Sequence, residues 1–369
     1  MIDPQDYQIN DVSQLHSPGL VLFRELLEHN LAESIRLCGG PSRWRPHVKT
    51  HKTREIVRRQ MELGILKHKC ATIAEAEMLA EEKVSEVLIA YPMVGPNVAR
   101  LSKLIDRFPE TRFATLIDHP DVAVQIGRFL EANGQSAEAL LDLNAGMDRT
   151  GIALNQQAIE LYEMISSTPG LKVGGLHWYD GQHRQPDLRE RKIAVLTGWE
   201  QFLHFRDKLL MSGLEVPRIV AAGTGSFAIL AETEEPGLEL SPGTTTLYDA
   251  DCNEKFPELN FKPAVAILTR VISHSGSTRM TLDVGHKACA ADQPAGKRLY
   301  FPALPDAKEV QHTEEHLVIE SSAAHRFRIG DPLFAISRHI CPTMNIHSDV
   351  LVVSNNEVVE KWQVKARAR

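Results

Sequence analysis

Cysteine is scarce in this chain: five residues in 369, none of them in a CxxC pair. So odd and scattered a set excludes a disulfide framework and fits a reducing, cytoplasmic setting. Positive charge does not dominate either. Lys and Arg total 41 against 48 Asp and Glu, a formal net charge of −7, which argues against a protein that tracks nucleic-acid phosphates across a basic face. Long apolar runs are missing as well: residues 87–91 form about the longest, far below the roughly 18 residues of a membrane helix. The start, Met1-Ile2-Asp3-Pro4, has neither the basic opening nor the apolar stretch of a secretion signal. Repeats with a period of roughly 20–50 residues and low-complexity tracts are absent, which removes solenoids, collagen-like chains and disorder. No nucleic-acid or membrane partner is expected.

What is present is an alternation of short β-type runs with helical patterns. The runs cover residues 44–48, 65–71, 86–91, 112–117, 138–143, 172–178, 218–222 and 238–241. Between them, residues 96–108 carry Val98, Leu101, Ile105 and Phe108 at helical spacing behind Pro96, and residues 120–133 repeat the device before a stop at Gly134. Residues 156–166 and 20–37 read as further helices. Eight strands alternating with helices predict an α/β fold, a (β/α)8 TIM barrel, with a doubly wound open sheet as the alternative that pattern alone leaves standing. Past Thr244 the rhythm changes to strands at 265–273, 279–283, 317–321, 332–336 and 350–353, broken by Gly, Pro, Asn and Asp. Two domains follow: a barrel over 19–244, and a β-rich domain from 1–18 and 245–369.

Chemistry concentrates in Arg45-Pro46-His47-Val48-Lys49-Thr50-His51-Lys52, directly after the first predicted strand. In a barrel the C-terminal strand ends face the active site, and three cations with two imidazoles crowd together only where an anion such as phosphate lies nearby. Crowding also lowers a lysine pKa and makes its amine nucleophilic. Gly223-Thr224-Gly225-Ser226, after the seventh strand, has the small residues and hydroxyls that let backbone amides close on a phosphate. His339-Ile340-Cys341 pairs an imidazole with a thiol. In an extended segment residues i and i+2 point the same way, and this donor pair suits zinc better than magnesium or calcium.

These motifs, with Asn144-Ala145-Gly146-Met147-Asp148-Arg149-Thr150-Gly151, stand in the order and spacing of one family. The chain resembles, over nearly its whole length, the D-threonine aldolase / D-serine dehydratase family of alanine-racemase-like, fold-type III pyridoxal phosphate (PLP) enzymes. The resemblance implies a PLP-holding barrel, a C-terminal β domain and a homodimer. It implies that Lys49 is the Schiff-base lysine, with Lys52 the competitor that spacing alone does not remove, and that His47, Arg149 and Tyr179 lie against the cofactor. Gly223, Thr224, Gly225 and Ser226, with Gly243 and Thr244 of the turn Pro242-Gly243-Thr244, then take its phosphate. His339 and Cys341 become ligands of a divalent metal, zinc first, with manganese or magnesium as alternatives. No third ligand is evident; His347 and Asp349 are candidates by proximity only.

The implied activity is a lyase acting on a D-3-hydroxy amino acid, with Lys49 as base for the α-proton. Cysteine at 341 favours β-elimination of water, as in D-serine dehydratases, where the aldolase branch has Asp. Retro-aldol cleavage to glycine and an aldehyde is the alternative, with His51 as candidate base for the β-hydroxyl proton. An amino-acid racemase needs no metal pair, and a non-catalytic PLP carrier lacks the β-rich domain, so both rank lower. His183 and Arg184 are candidates to meet a substrate side-chain carboxylate.

Overall fold

A strand, β1 (Gly19–Phe23), precedes helix α1 (Arg24–Cys38) where the sequence pattern predicts one helix from Leu20 onward. Leu20, Val21, Leu22 and Phe23 are all buried. A short continuous apolar run of this kind is a strand covered on both faces, which periodicity does not separate from a buried helix turn. The computed structural model describes residues 2–369. It divides into two compact units: one of Ile35–Lys49, Arg54–Gly243 and Ala368–Arg369, the other of the residues up to Ser34 with Thr50–Thr53 and Thr244–Arg367. Strand β1 therefore stands in the β-rich unit, whereas the sequence reading begins the barrel at residue 19.

In the first unit seven parallel strands run in order β2 (Lys67–Cys70), β3 (Glu86–Pro92), β4 (Arg112–Ile117), β5 (Ala137–Leu143), β6 (Leu171–Trp178), β7 (Ile219–Ala221) and β8 (Leu238–Leu240). Helices α2 (Arg54–Glu62), α3 (Ile73–Glu81), α4 (Pro96–Arg107), α5 (Pro120–Ala132), α6 (Gln156–Ser167), α7 (Leu188–Met211) and α8 (Phe227–Ala231) alternate with them. Pro96 and Pro120 occupy first turns, and the Thr72, Asn155 and Asp187 side chains cap α3, α6 and α7. The first of the eight predicted strands, residues 44–48, is not a regular strand. It bridges β8 through Trp44–Leu240 and β2 through His47–Lys69, and so fills the eighth place in the ring. Pro46 explains the irregularity: it has no N–H to donate, and only its carbonyl joins the ladder, accepting from the Lys69 amide at 2.9 Å.

Alternation along the strands builds the barrel interior in levels. At the N-terminal level Arg45 meets Glu239 at 2.5 Å and Glu86 at 3.0 Å, Lys67 meets Glu239 at 2.5 Å, and Arg218 pairs with Glu86 and Glu138. Two residues further along, Leu88, Leu116, Leu140 and Val220 touch across the ring as an apolar level. Two residues further again come Ala90 and Asp142, which face the barrel mouth; Lys69 of β2, one alternation beyond Lys67 and in register with Leu88, reaches the same cavity.

The second unit holds a nine-stranded sheet. Its main path is β12 (Lys308–His312), β13 (Leu317–Glu320), β10 (Arg279–Leu282), β9 (Val265–His274), β1, β15 (Asp349–Ser354) and β16 (Glu357–Gln363). β14 (Pro332–Ser337) pairs with β9 and with β11 (Leu299–Tyr300). β1 runs antiparallel to β9 and parallel to β15. Two short helices, α9 (Ala250–Lys255) and α10 (Ile340–Ile346), complete the unit. β12 and β16 carry mostly exposed polar residues, which left them without an apolar signature in the sequence. Among the described residues no helix is long and apolar enough to cross a membrane.

Arg45 is 1% exposed, and burial works against Glu86 and Glu239 while Arg45, joined by Arg112 and Arg218 at Glu86 and by Lys67 at Glu239, outweighs it and holds both carboxyls below the ordinary Glu range. Their folded values lie below the unfolded ones. The pairs therefore stabilise fully above the ordinary range and lose that contribution as pH falls through the range and beneath it. Arg45→Met removes the buried partner of both carboxylates and leaves Glu239 only Lys67 and Glu86 only Arg112 and Arg218, and we expect a loss of about 3 kcal/mol at pH 7. Urea unfolding followed by tryptophan fluorescence checks this, since Trp44, Trp178 and Trp199 all belong to the barrel unit; the deficit should shrink below pH 4.

Candidate active site

The C-terminal strand ends of the barrel unit enclose a cavity of about 320 Å3 whose wall includes His47, Lys49, Lys69, Arg149, His177 and Tyr179. Lys49 follows the irregular segment, and its amide contacts His47 Nδ1 at 3.4 Å. Three cations converge on one ring. Lys49 Nζ lies 5.7 Å, Lys69 Nζ 5.9 Å and Arg149 Cζ 5.0 Å from the Tyr179 ring centroid, each within cation–π range. Lys52 is not in this wall. It sits in the other unit at a left-handed φ of 54°, its carbonyl accepting from the Ala366 amide.

Beneath the cavity Asp142 accepts from Thr150 Oγ1 at 3.0 Å and holds His177 Nδ1 at 2.6 Å. Burial, with Lys69 and Arg149, lowers the His177 pKa. The neutral ring therefore gives its Nδ1 proton to Asp142 and carries a lone pair on Nε2, for which no hydrogen-bond partner is present among the described residues. Asp180 is also buried, which raises its pKa despite hydrogen bonds from the Gly223 amide at 3.0 Å and Ser226 Oγ at 2.5 Å.

That last contact refines the phosphate expectation. Two donors of the Gly223-Thr224-Gly225-Ser226 turn, the Gly223 amide and the Ser226 hydroxyl, are committed to Asp180. The amides of Thr224, Gly225 and Ser226 donate to no acceptor among the described residues. The turn is narrow: a Cβ on Gly223 would stand 3.4 Å from Gly181 Cα and from Tyr179 Cε2. Gly181 is tighter still, since its Cβ would fall 2.4 Å from Tyr179 Oη. Free amides, an amine in a cavity, surplus positive charge and an aromatic plane fit an anionic, phosphorylated aromatic molecule.

The second unit brings His339 and Cys341 together, though not as an extended pair. His339 is the N-cap of α10, with φ −146° and ψ 95°, and Cys341 lies in its first turn. Nδ1 of His339 bonds Asp292, and the imidazole also hydrogen-bonds the Cys341 sulfur. Burial opposes charge on the ring, but Cys341 and Asp292 outweigh it and push its pKa up to about 9. Thr50 Oγ1 lies 3.1 Å and Thr244 Oγ1 4.0 Å from Cys341 Sγ. Thr244 is thus beside the thiol within this unit. His347 contacts the Ala288 carbonyl at 2.7 Å, and Asp349 pairs with Lys361 at 3.1 Å, so neither joins the pair. No cluster of three or more His, Cys, Asp or Glu side chains is gathered as a metal cage among the described residues.

His51 is fully buried. Burial, then Lys52, lowers its pKa to about 3. Its Nδ1 accepts from the Thr53 amide at 3.2 Å, which places the proton of the neutral ring on Nε2.

Lys69, Asp142, His177 and Asp180 are absent from the sequence reading. Lys69 was findable as a lysine at the C-terminal end of a barrel strand, and His177 as the residue two before Tyr179 on the same inward face.

The family profile described as alanine racemase, N-terminal domain, matches residues 24–248, and one described as a serine dehydratase domain matches residues 264–353. A D-threonine aldolase of Arthrobacter sp. is 27% identical over 363 residues, covering 96% of this chain and 94% of that protein. The D-threo-3-hydroxyaspartate dehydratase of Delftia sp. (strain HT23) is 22% identical over 374 residues, covering 95% and 97%. The crystal structure of D-threonine aldolase from Filomicrobium marinum superposes with a TM-score of 0.88 at 26% identity, covering 95% of this chain and 96% of that one.

Cys341 is partly exposed, whereas the other four cysteines are buried; burial pushes the Cys38 and Cys289 thiols up to about 12. Iodoacetamide at neutral pH should therefore modify Cys341 alone in the folded protein. Peptide mass mapping before and after unfolding checks this.

Proposed function

The chain belongs to the alanine racemase N-terminal domain family of fold-type III PLP enzymes, and from that premise we propose that it is a PLP- and divalent-metal-dependent lyase acting on D-3-hydroxy amino acids. The observation that carries this reading is that one chain holds both a lysine- and arginine-lined cavity in its barrel unit and an imidazole–thiol pair in its β-rich unit. PLP, when bound, supplies an electron sink for the pair left behind at the substrate's Cα. A zinc ion, when bound, supplies Lewis acidity toward the β-hydroxyl oxygen. Lys49 holds the cofactor covalently and, once released as an amine, takes the α-proton. The free amides of Thr224, Gly225 and Ser226 hold the phosphate. Tyr179 and Arg149 orient the ring. His339 and Cys341 are the metal ligands. Asp292, by taking Nδ1, fixes the imidazole and leaves Nε2 for the ion.

We favour β-elimination of water to a 2-oxo acid and ammonia, because Cys341, rather than a carboxylate, stands at the second ligand position. The higher identity and the 0.88 TM-score to D-threonine aldolases support retro-aldol cleavage as the second reading. In that reaction a base takes the β-hydroxyl proton, and His51 serves only after its Nδ1 leaves the Thr53 amide. The same reading takes the protein to be a cytoplasmic homodimer, checked by sedimentation.

D-Serine and D-threonine incubated with the PLP-loaded protein should yield 2-oxo acid and ammonia; glycine and an aldehyde alone would make it an aldolase. Lys49→Ala should lose the visible absorbance of the loaded protein and the borohydride-fixed adduct, and persistence of both would move the assignment to Lys52. Cys341→Ala should keep the absorbance and lose bound metal and turnover by at least about a hundredfold.

A further inference from the structure

Lys69 has no task in the reaction just described. Strand alternation places it on the same inward face as Lys67, one level nearer the mouth. Lys67 is paired with Glu239 at 2.5 Å, whereas no hydrogen bond or ion pair holds the Lys69 ammonium among the described residues. The side chain is 2% exposed and lines the cavity. Arg45, His47 and Lys49 face it from the closing segment, Asp142 from β5, His177, Tyr179 and Asp180 from the end of β6, and Arg149 from the loop after β5. Both nearby carboxylates are engaged elsewhere: Asp142 with His177 and Thr150, Asp180 with Gly223 and Ser226. An ammonium buried without a counter-ion is costly, and an anion entering the cavity relieves that cost.

We propose that Lys69 is an oxyanion-binding residue of this cavity, its Nζ taking the phenolate oxygen of the cofactor or the carboxylate oxygen of the substrate. This rests on the reading of the cavity as a PLP site. Burial, with Lys49 and Arg45 beside it, lowers the Lys69 pKa to about 7. At pH 8 the amine of the ligand-free protein is therefore mostly neutral. Binding an oxyanion restores its affinity for a proton, so ligand binding takes one up.

The test is calorimetric titration of PLP into wild type, Lys69→Met and Lys69→Arg at pH 8, in two buffers of different ionisation enthalpy. A second titration with D-alanine follows on the loaded proteins; this probe carries an α-carboxylate but has no hydroxyl to lose. We expect wild type to take up more protons per site than Lys69→Met, and the methionine variant to bind on the order of tenfold more weakly. Lys69→Arg should bind as tightly as wild type without the extra uptake, because its guanidinium is charged throughout. An uptake difference at the PLP step assigns the phenolate, and one confined to the D-alanine step assigns the carboxylate. Should Lys69→Met fail to fold, Lys69→Arg carries the test through lost uptake at unchanged affinity. Identical affinities and proton uptake in all three proteins at both steps would overturn the proposal while leaving the PLP reading intact. Failure of wild type to bind PLP would overturn both.

Discussion

Arg45 is the interaction on which the barrel unit depends. The segment that carries His47 and Lys49 has no regular ladder to hold it, because Pro46 interrupts the hydrogen bonding on the side where an amide is needed. Backbone hydrogen bonds to Leu240, Pro242 and Lys69 hold it at four points, and one guanidinium, almost wholly buried, braces it further by spanning Glu239 on β8 and Glu86 on β3. The guanidinium's planar fork fixes direction as well as distance, which a lysine in its place would not do. With Arg45 anchored, alternation turns His47 and Lys49 toward the mouth, and the Ser241 hydroxyl locks the Arg45 carbonyl at 2.6 Å. An irregular strand thus delivers its lysine with the precision of a regular one.

The strands repeat one arrangement. On β3, Glu86, Leu88 and Ala90 supply a charge, an apolar contact and a piece of cavity wall; on β5, Glu138, Leu140 and Asp142 do the same. The middle level excludes water between two sets of ionisable groups, so each set acts in a low-dielectric surrounding. The β-rich unit works on a different principle. There a short helix start, rather than a strand, sets His339 and Cys341 against each other, and Asp292 fixes the ring.

Most of this was legible, and the failures have physical causes. The helices behind Pro96 and Pro120 announced themselves by proline, spacing and stop signals, and the strands at 112–117 and 172–178 by apolar runs. β1 was hidden because four consecutive buried apolar residues satisfy either periodicity. β12 and β16 were hidden because their exposed polar faces leave no pattern. Within the candidate site, motif residues stood out because several unusual side chains adjoin in sequence. Asp142, His177 and Asp180 are single residues inside apolar or mixed runs, and only the closing of the ring brings them together. The HxC pair does come together, but on a backbone other than the one expected, since the i, i+2 argument belongs to strands and Cys341 lies in a helix.

The charged base of the barrel reaches further than its own level. Arg45 is among the groups that depress the Lys69 amine, although the two side chains lie at different heights and share no hydrogen bond. Both are buried in an interior of low dielectric, so the charge of the base is felt in the cavity with less screening than in water. The base therefore acts as a fixed electrode under the reaction chamber. Its polarity can be reset by substitutions that touch no ligand, alter no cavity wall and leave the shape presented to substrate unchanged.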